Sequence, residues 1–89
     1  MFSFRKKGKQ FKIKVNHHSV KILEYKKEIY CDDFRGEEVK TIELVTKRPI
    51  DVLDQKEVVI QINHEPAISA DWLMHITQPD LHSYLYRVR

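Results

Sequence analysis

The stretch EVVIQIN, residues 57–63, decides the fold class of this chain. Its centre is valine and isoleucine, whose branched Cβ atoms restrict the side chain in a helix and pack well on a pleated sheet. The turn-forming residues NHEP follow at 63–66, where the proline has no N–H to donate to a sheet. Residues 57–63 are therefore predicted to form a β-strand, the clearest one in the sequence.

Outward from this stretch, apolar and polar residues alternate along much of the chain. In FKIKV, residues 11–15, three apolar side chains alternate with two lysines, which is the period-two pattern of a half-buried strand. Residues 29–31 either extend the strand before them or form a short one. Further strands are predicted at 2–4, 20–25, 39–46 and 83–89, with turns at 5–9, 16–19, 32–37 and 47–49.

Residues 69–77 allow two interpretations. Ser69 is a suitable N-cap for a short helix, but WLMHIT at 72–77 alternates equally well as a strand, with residues 72, 74 and 76 on one face. Proline and aspartate at 79–80 fit a type I turn, which favours a terminal hairpin over a helix. This turn places Thr77 opposite His82.

We predict an all-β fold with at most one short helix, as a small single-domain barrel or sandwich of about six short, mostly antiparallel strands. Residues 1–89 are expected to form one β-rich domain, because 89 residues suffice for one small core. The single cysteine, Cys31, excludes an internal disulfide, and the apolar runs are too short for a signal peptide or a membrane span. We therefore expect a cytoplasmic protein with no membrane contact.

Charge is distributed unevenly along the chain. The first 27 residues contain nine basic residues and one acidic residue, whereas the rest contains seven basic and twelve acidic residues, for a formal net charge of +3. Such asymmetry indicates a basic surface that meets a polyanion, or copies whose unlike ends attract each other.

The basic N-terminal segment is the candidate nucleic-acid or polyanion site, because lysine and arginine neutralise phosphates. Single-strand binders also stack bases on aromatic side chains, but alternation puts Phe11 on the face opposite Lys12 and Lys14. The other interpretation is a solvated outer face over a core-facing stripe. The candidate residues are Arg5, Lys6, Lys7, Lys9, Lys12 and Lys14.

No motif predicts catalysis, a metal or a cofactor. The five histidines, His17, His18, His64, His75 and His82, lack the paired spacing of zinc ligands, and the predicted 79–80 turn is expected to separate His75 from His82. Cys31 is expected to be a small buried hydrophobe. The acidic loop formed by Asp32, Asp33, Glu37 and Glu38 fails the calcium-loop spacing and is predicted to be a solvated turn. We expect no enzyme.

The C-terminal strand is the candidate protein interface, with Tyr84, Tyr86, Arg87 and Arg89 as its residues. Tyrosine and arginine are enriched at interfaces, and a strand at the chain end often lies at a sheet edge. The alternative is that the tyrosines pack on the molecule's own core.

These features predict a non-enzymatic protein-interaction or assembly module that acts through charged faces and edge strands. Its partner is expected to be another protein or a second copy, which would make a homo-oligomer. A nucleic-acid-binding domain that uses the basic N-terminal segment is the alternative prediction.

Overall fold

The alternating stretches form strands in the computed structural model, which describes the backbone of residues 2–7 and residues 12–89. One short 3₁₀ turn (Asp51–Asp54) lies between the fifth and sixth strands. The described part of the chain has no helix of the length and apolarity that a membrane span requires. The strands are β1 (Phe2–Lys7), β2 (Ile13–Val15), β3 (His18–Val20), β4 (Glu24–Asp32), β5 (Glu37–Thr46), β6 (Glu57–Ile62), β7 (Ile68–Thr77) and β8 (His82–Val88).

The strands join into one antiparallel sheet in the order β1-β4-β5-β8-β7-β6-β2-β3. This confirms the all-β, antiparallel fold. The sheet does not close into a barrel, because β1 and β3 lie at its two ends. Residues 69–77 belong to a strand, and the terminal hairpin has the predicted turn, with Thr77 paired to His82.

Two predictions about the pairing and the bounds of the early strands were wrong. The predicted first hairpin does not form, because β1 pairs with β4 while β2 has β3 and β6 on its two sides. The tip of that hairpin was predicted at 5–9, but residues 5–7 belong to β1, and residues 8 and 9 lie outside the described residues. The predicted strand at 20–25 is divided, since Val20 ends β3 and Glu24 begins β4. The described residues contain eight strands in all.

The sheet bends around one hydrophobic core. That core unites Ile13 of β2 with Tyr25 of β4, although these strands are far apart in the sheet order. The Lys27 side chain of β4 also reaches across to Glu65 beyond the end of β6, with Nζ 3.2 Å from Oε2. The bend buries apolar side chains of six strands from water, which supplies the main stabilisation of so small a chain.

The segment that contains the 3₁₀ turn is held against the core by two tyrosines of β8. The Tyr86 hydroxyl donates a hydrogen bond to the Leu53 carbonyl at 2.6 Å, and the Ile50 N–H donates to the Tyr84 hydroxyl at 3.0 Å. Leu53 itself is completely buried. The two hydroxyls therefore satisfy backbone groups of a segment that has no sheet partner of its own.

A bulge at Leu73 changes which residues of β7 face the core. Trp72 pairs with Tyr86, but the next pair is Met74 with Leu85, so one residue is skipped. After the bulge, His75 and not Met74 shares the inner face with Tyr84. The prediction that residues 72, 74 and 76 share one face was therefore wrong.

Candidate functional site

The turn between β4 and β5 presents an aromatic side chain to solvent. The Asp32 carbonyl accepts a hydrogen bond from the Gly36 N–H at 2.7 Å, and its carboxylate Oδ1 accepts one from the Phe34 N–H at 3.0 Å. Gly36 has φ +65°, a left-handed conformation that glycine adopts without steric cost. These contacts leave the Phe34 side chain fully exposed, at 102% of its reference area.

Phe34 lies in a stretch of the chain that is rich in carboxylates. The turn and the strand ends beside it contain four carboxylates and one guanidinium, that of Arg35. Glu38 lies 4.0 Å from the Lys40 ammonium, and both side chains are exposed. We call residues 32–38 the acidic tip. Its carboxylates belong to Asp32, Asp33, Glu37 and Glu38.

A basic cleft lies where the segment before β4 meets the segment after β5. The Leu23 N–H donates to the Val45 carbonyl at 2.8 Å, and the Thr46 hydroxyl donates to the Arg48 carbonyl at 2.7 Å, which fixes both segments. The cleft has a volume of about 720 Å³, within the range of small-ligand pockets. It is lined by Lys21, Leu23, Lys47, Arg48, Pro49 and Ile50.

The lining of the basic cleft combines apolar side chains, which we call its floor, with cationic side chains, which we call its rim. Leu23 is 39% exposed, which is high for a leucine. Lys21, Lys47 and Arg48 are exposed, and none forms an ion pair with a residue of the range 12–89. No described lining residue is a carboxylate. The cleft therefore suits a ligand that presents an apolar group beside negative charge.

The acidic tip and the basic cleft lie at opposite ends of the β4–β5 hairpin. β4 runs away from the cleft for nine residues, and β5 returns for ten. At about 3.3 Å per residue the two sites are about 30 Å apart, which is close to the full 36 Å length of the molecule. The tip of one molecule therefore cannot enter its own cleft.

Of the predicted basic residues, neither Lys12 nor Lys14 is among the described residues that line this cleft. Lys12 and Lys14 are exposed, and Lys14 belongs to β2, next to the β3 end of the sheet order. Arg5, Lys6 and Lys7 fall on β1, at the other end of that order, and only their backbone is described. Lys9 lies outside the described residues. The described cations of the cleft are Lys21, Lys47 and Arg48, which flank β4 and β5.

The predicted C-terminal interface residues occupy a central strand. β8 pairs with β5 on one side and β7 on the other, so it is not an edge strand. Tyr84 and Tyr86 are completely buried, which corrects their assignment to an interface and matches the alternative of packing on the molecule's own core. Arg87 is exposed, and the Arg89 guanidinium binds the Asp71 carboxylate at 2.7 Å and the Glu57 carboxylate at 2.8 Å.

Two histidines meet despite the turn that was expected to separate them. His75 Nε2 lies 3.0 Å from His82 Nδ1, and His75 Nδ1 lies 3.2 Å from the Asp54 carboxylate. The His75 ring also stacks on Tyr84, with centroids 4.2 Å apart. Both nitrogens of His75 are thus engaged within the protein. No group of three or more residues suited to bind a metal occurs among the described residues.

Burial and ion pairing shift the pKa values of several side chains. Burial raises the pKa of Tyr86 far above its usual range, and the Asp54 carboxylate adds to this effect. Burial likewise raises the pKa of Tyr84 and of Tyr25. The hydrogen bond from Arg89 holds the pKa of the Asp71 carboxyl below its usual range.

Cys31 is exposed on β4 and is not the buried hydrophobe that the sequence predicted. It pairs with Glu38, at the base of the acidic tip. Sequence reasoning recognised that tip as a solvated turn but missed Phe34 as a functional candidate. The sequence did contain a sign of this site, because Phe34 is a large apolar residue among the charged residues of a turn.

Comparison with protein-family models, with curated proteins and with solved structures gives no match for this chain. The site must therefore be interpreted from its own chemistry.

Proposed function

We propose that the chain is a non-enzymatic assembly module whose copies associate through the basic cleft of one molecule and the acidic tip of another. The observation that carries this proposal is the placement of complementary charge at opposite ends of one hairpin. Three cations surround the cleft, and four carboxylates lie at the tip. This arrangement gives every copy one surface of each sign.

We expect the charges to increase the rate and the specificity of association between copies more than its affinity. An isolated ion pair at an exposed surface contributes only about 0–1 kcal/mol. Complementary patches nevertheless accelerate encounter and exclude partners of the wrong sign. The association should therefore weaken as salt is added, because the Debye length falls from about 10 Å at 0.1 M to about 3 Å at 1 M.

A phosphate polyanion is the competing ligand for the same cations. Binding of single-stranded nucleic acid usually relies on aromatic stacking as well as on positive charge. The described apolar lining of the cleft is leucine, proline and isoleucine, which offers no such platform. The chemistry of the cleft thus favours a protein ligand, and nucleic-acid binding is kept as an outcome of the test.

The test is sedimentation velocity over a range of protein concentrations at about 50 and 500 mM salt. We expect a mass that rises with concentration at low salt and falls toward the monomer at high salt. The variant Lys47→Glu/Arg48→Glu should remain monomeric at low salt. The variant Lys12→Glu/Lys14→Glu makes the same change in net charge outside the cleft and serves as the matched control.

A wild-type protein that stays monomeric at high concentration and low salt contradicts self-association. In that case, anisotropy titrations with labelled single- and double-stranded oligonucleotides test the alternative function, which is nucleic-acid binding. Binding that is lost in Lys12→Glu/Lys14→Glu would assign the phosphate contacts to the basic N-terminal segment.

A further inference from the structure

We infer that Phe34 of one copy inserts into the basic cleft of the next, so that an aromatic anchor joins the copies head to tail. This inference rests on the proposed function and names the residue that provides the affinity. The acidic side chains beside Phe34 then face the cationic rim of the cleft. The occupant of the cleft is thus a second copy of this chain.

The exposure of Phe34 supports its role as the anchor. Its side chain is fully accessible, whereas each of the other exposed large apolar side chains of the described residues is at most 44% exposed. An aromatic side chain buries about 150–250 Å² when it is enclosed. Phe34 is fully exposed in its own molecule, so its burial in a partner would remove no packing from the core of that molecule.

The size and chemistry of the cleft suit a phenyl ring that is flanked by carboxylates. Leu23, Pro49 and Ile50 form an apolar floor in a volume that accepts a phenyl ring. The rim around this floor is cationic, and cations near a ring face add a further attraction. A phenyl ring flanked by carboxylates matches this lining in both polarity and charge.

The geometry of the turn orders Phe34 in advance of binding. The hydrogen bonds that Asp32 accepts from the Phe34 and Gly36 N–H groups fix the backbone on both sides of the ring before any contact is made. An anchor that is already ordered loses less conformational entropy on binding. The Asp32 carboxylate is used in the turn, which leaves Asp33 and Glu37 as the carboxylates closest in sequence to pair with the rim.

The experiment compares Phe34→Ala with wild-type protein by sedimentation velocity at low salt. We expect association to weaken by at least about 30-fold, the effect of losing an aromatic hot spot. Tyr30→Ala is the matched control, since Tyr30 is an exposed aromatic residue of β4 outside the turn. Thermal unfolding of each variant establishes that it is folded.

Mixing two variants provides the sharper test. Phe34→Ala retains an intact cleft, and Lys47→Glu/Arg48→Glu retains an intact tip, so each alone should be monomeric. Mixed together, they have one functional tip and one functional cleft, and they should form a 1:1 heterodimer. A symmetric interface elsewhere on the molecule would not produce this complementation.

The outcomes separate the inference from the proposed function. If wild type self-associates in a salt-dependent way and Phe34→Ala associates equally well, Phe34 is not the anchor, and the assembly function stands. If the mixed variants remain monomeric while wild type associates, the tip-in-cleft contact is excluded, which overturns both the inference and the proposed cleft-to-tip association. If wild type itself is monomeric, both are overturned.

Discussion

His75 and His82 touch diagonally across the β7–β8 hairpin, with Nε2 of the first 3.0 Å from Nδ1 of the second. In the strand register His75 is aligned with Tyr84, and His82 is aligned with Thr77. Diagonal neighbours on one face of an antiparallel pair are about 7–8 Å apart at the backbone, which long and aromatic side chains span. A single proton must occupy the contact, because two N–H groups or two lone pairs would repel each other.

The contact predicts the tautomer of His82. Asp54 accepts the Nδ1 proton of His75, so the Nε2 atom of a neutral His75 is an acceptor. His82 must then donate from Nδ1 when both rings are neutral. Long-range ¹H–¹⁵N spectra recorded at about pH 8.5, above the ordinary imidazole range, should show the Nδ1–H tautomer for both residues.

The variant Asp54→Ala supplies the comparison for this prediction. Without the carboxylate, nothing fixes the proton of His75 on Nδ1, and the His82 signal should move toward a mixture of tautomers. The exposed His64 should be unaffected. An Nε2–H tautomer for His82 in the unaltered protein would contradict the arrangement.

Tyr86 is expected to stabilise the fold through its hydroxyl. Tyr86→Phe retains the ring but removes the donor to the Leu53 carbonyl, which lies in a completely buried residue. Leaving such a group unsatisfied costs about 1–3 kcal/mol. Urea unfolding should show this loss, whereas Tyr30→Phe at an exposed site should stay within about 0.5 kcal/mol of wild type. An equal effect of the two substitutions would contradict the role of the hydroxyl.

The buried Tyr86 hydroxyl also predicts how the stability of the fold responds to alkaline pH. The pKa of Tyr86 is raised in the folded state, so the folded protein holds the phenol proton more tightly than the unfolded chain does. The corresponding stability is fully present below the unfolded pKa of about 10, and it falls as pH rises from that value toward the folded pKa. Urea unfolding from about pH 8 to 11 should show declining stability, with a shallower decline in Tyr86→Phe. Identical slopes would contradict the assignment.

The strands were predictable because their signals are local. Residues 57–63 carry the β-branched pattern themselves, and the pairing of Thr77 with His82 follows from the turn chemistry of 79–80. The division between β3 and β4 was not predictable, since Ile22 continues the alternation and is itself buried. The bulge at Leu73 gave no signal either, because its neighbours on both sides are apolar.

The candidate site was predictable only in part. The acidic tip is one continuous stretch, so its charge and its turn could be recognised directly. The basic cleft joins Lys21 and Leu23 to Lys47 and Arg48, and the whole β4–β5 hairpin lies between these pairs in sequence. No local sequence pattern indicates that residues so far apart in the chain lie together. The same reason explains why the internal position of β8 was missed, since sheet order is set by non-local pairing.

Asp71 is expected to make stability depend on acidic pH. Its pKa is lowered below the usual 3.8, first by the hydrogen bond from Arg89, so the folded state favours the ionised carboxylate. The stabilisation is present above the usual value and is lost as pH falls through the folded pKa. Asp71→Asn should flatten the acid side of a plot of melting temperature against pH. Asp80→Asn, in the exposed β7–β8 turn, is the control, and an equal flattening there would contradict the prediction.

Gly36 is expected to tolerate asparagine better than alanine. Its φ of +65° penalises a residue with a Cβ, yet a Cβ built at this position would meet no atom within 4 Å. The cost of Gly36→Ala is therefore a backbone cost of about 1 kcal/mol, and it should be smaller for Gly36→Asn, which adopts the left-handed conformation more readily. Urea unfolding measures both. Because asparagine retains the turn, Gly36→Asn should also self-associate like wild type, and stability equal to wild type in Gly36→Ala would show that the turn does not require this conformation.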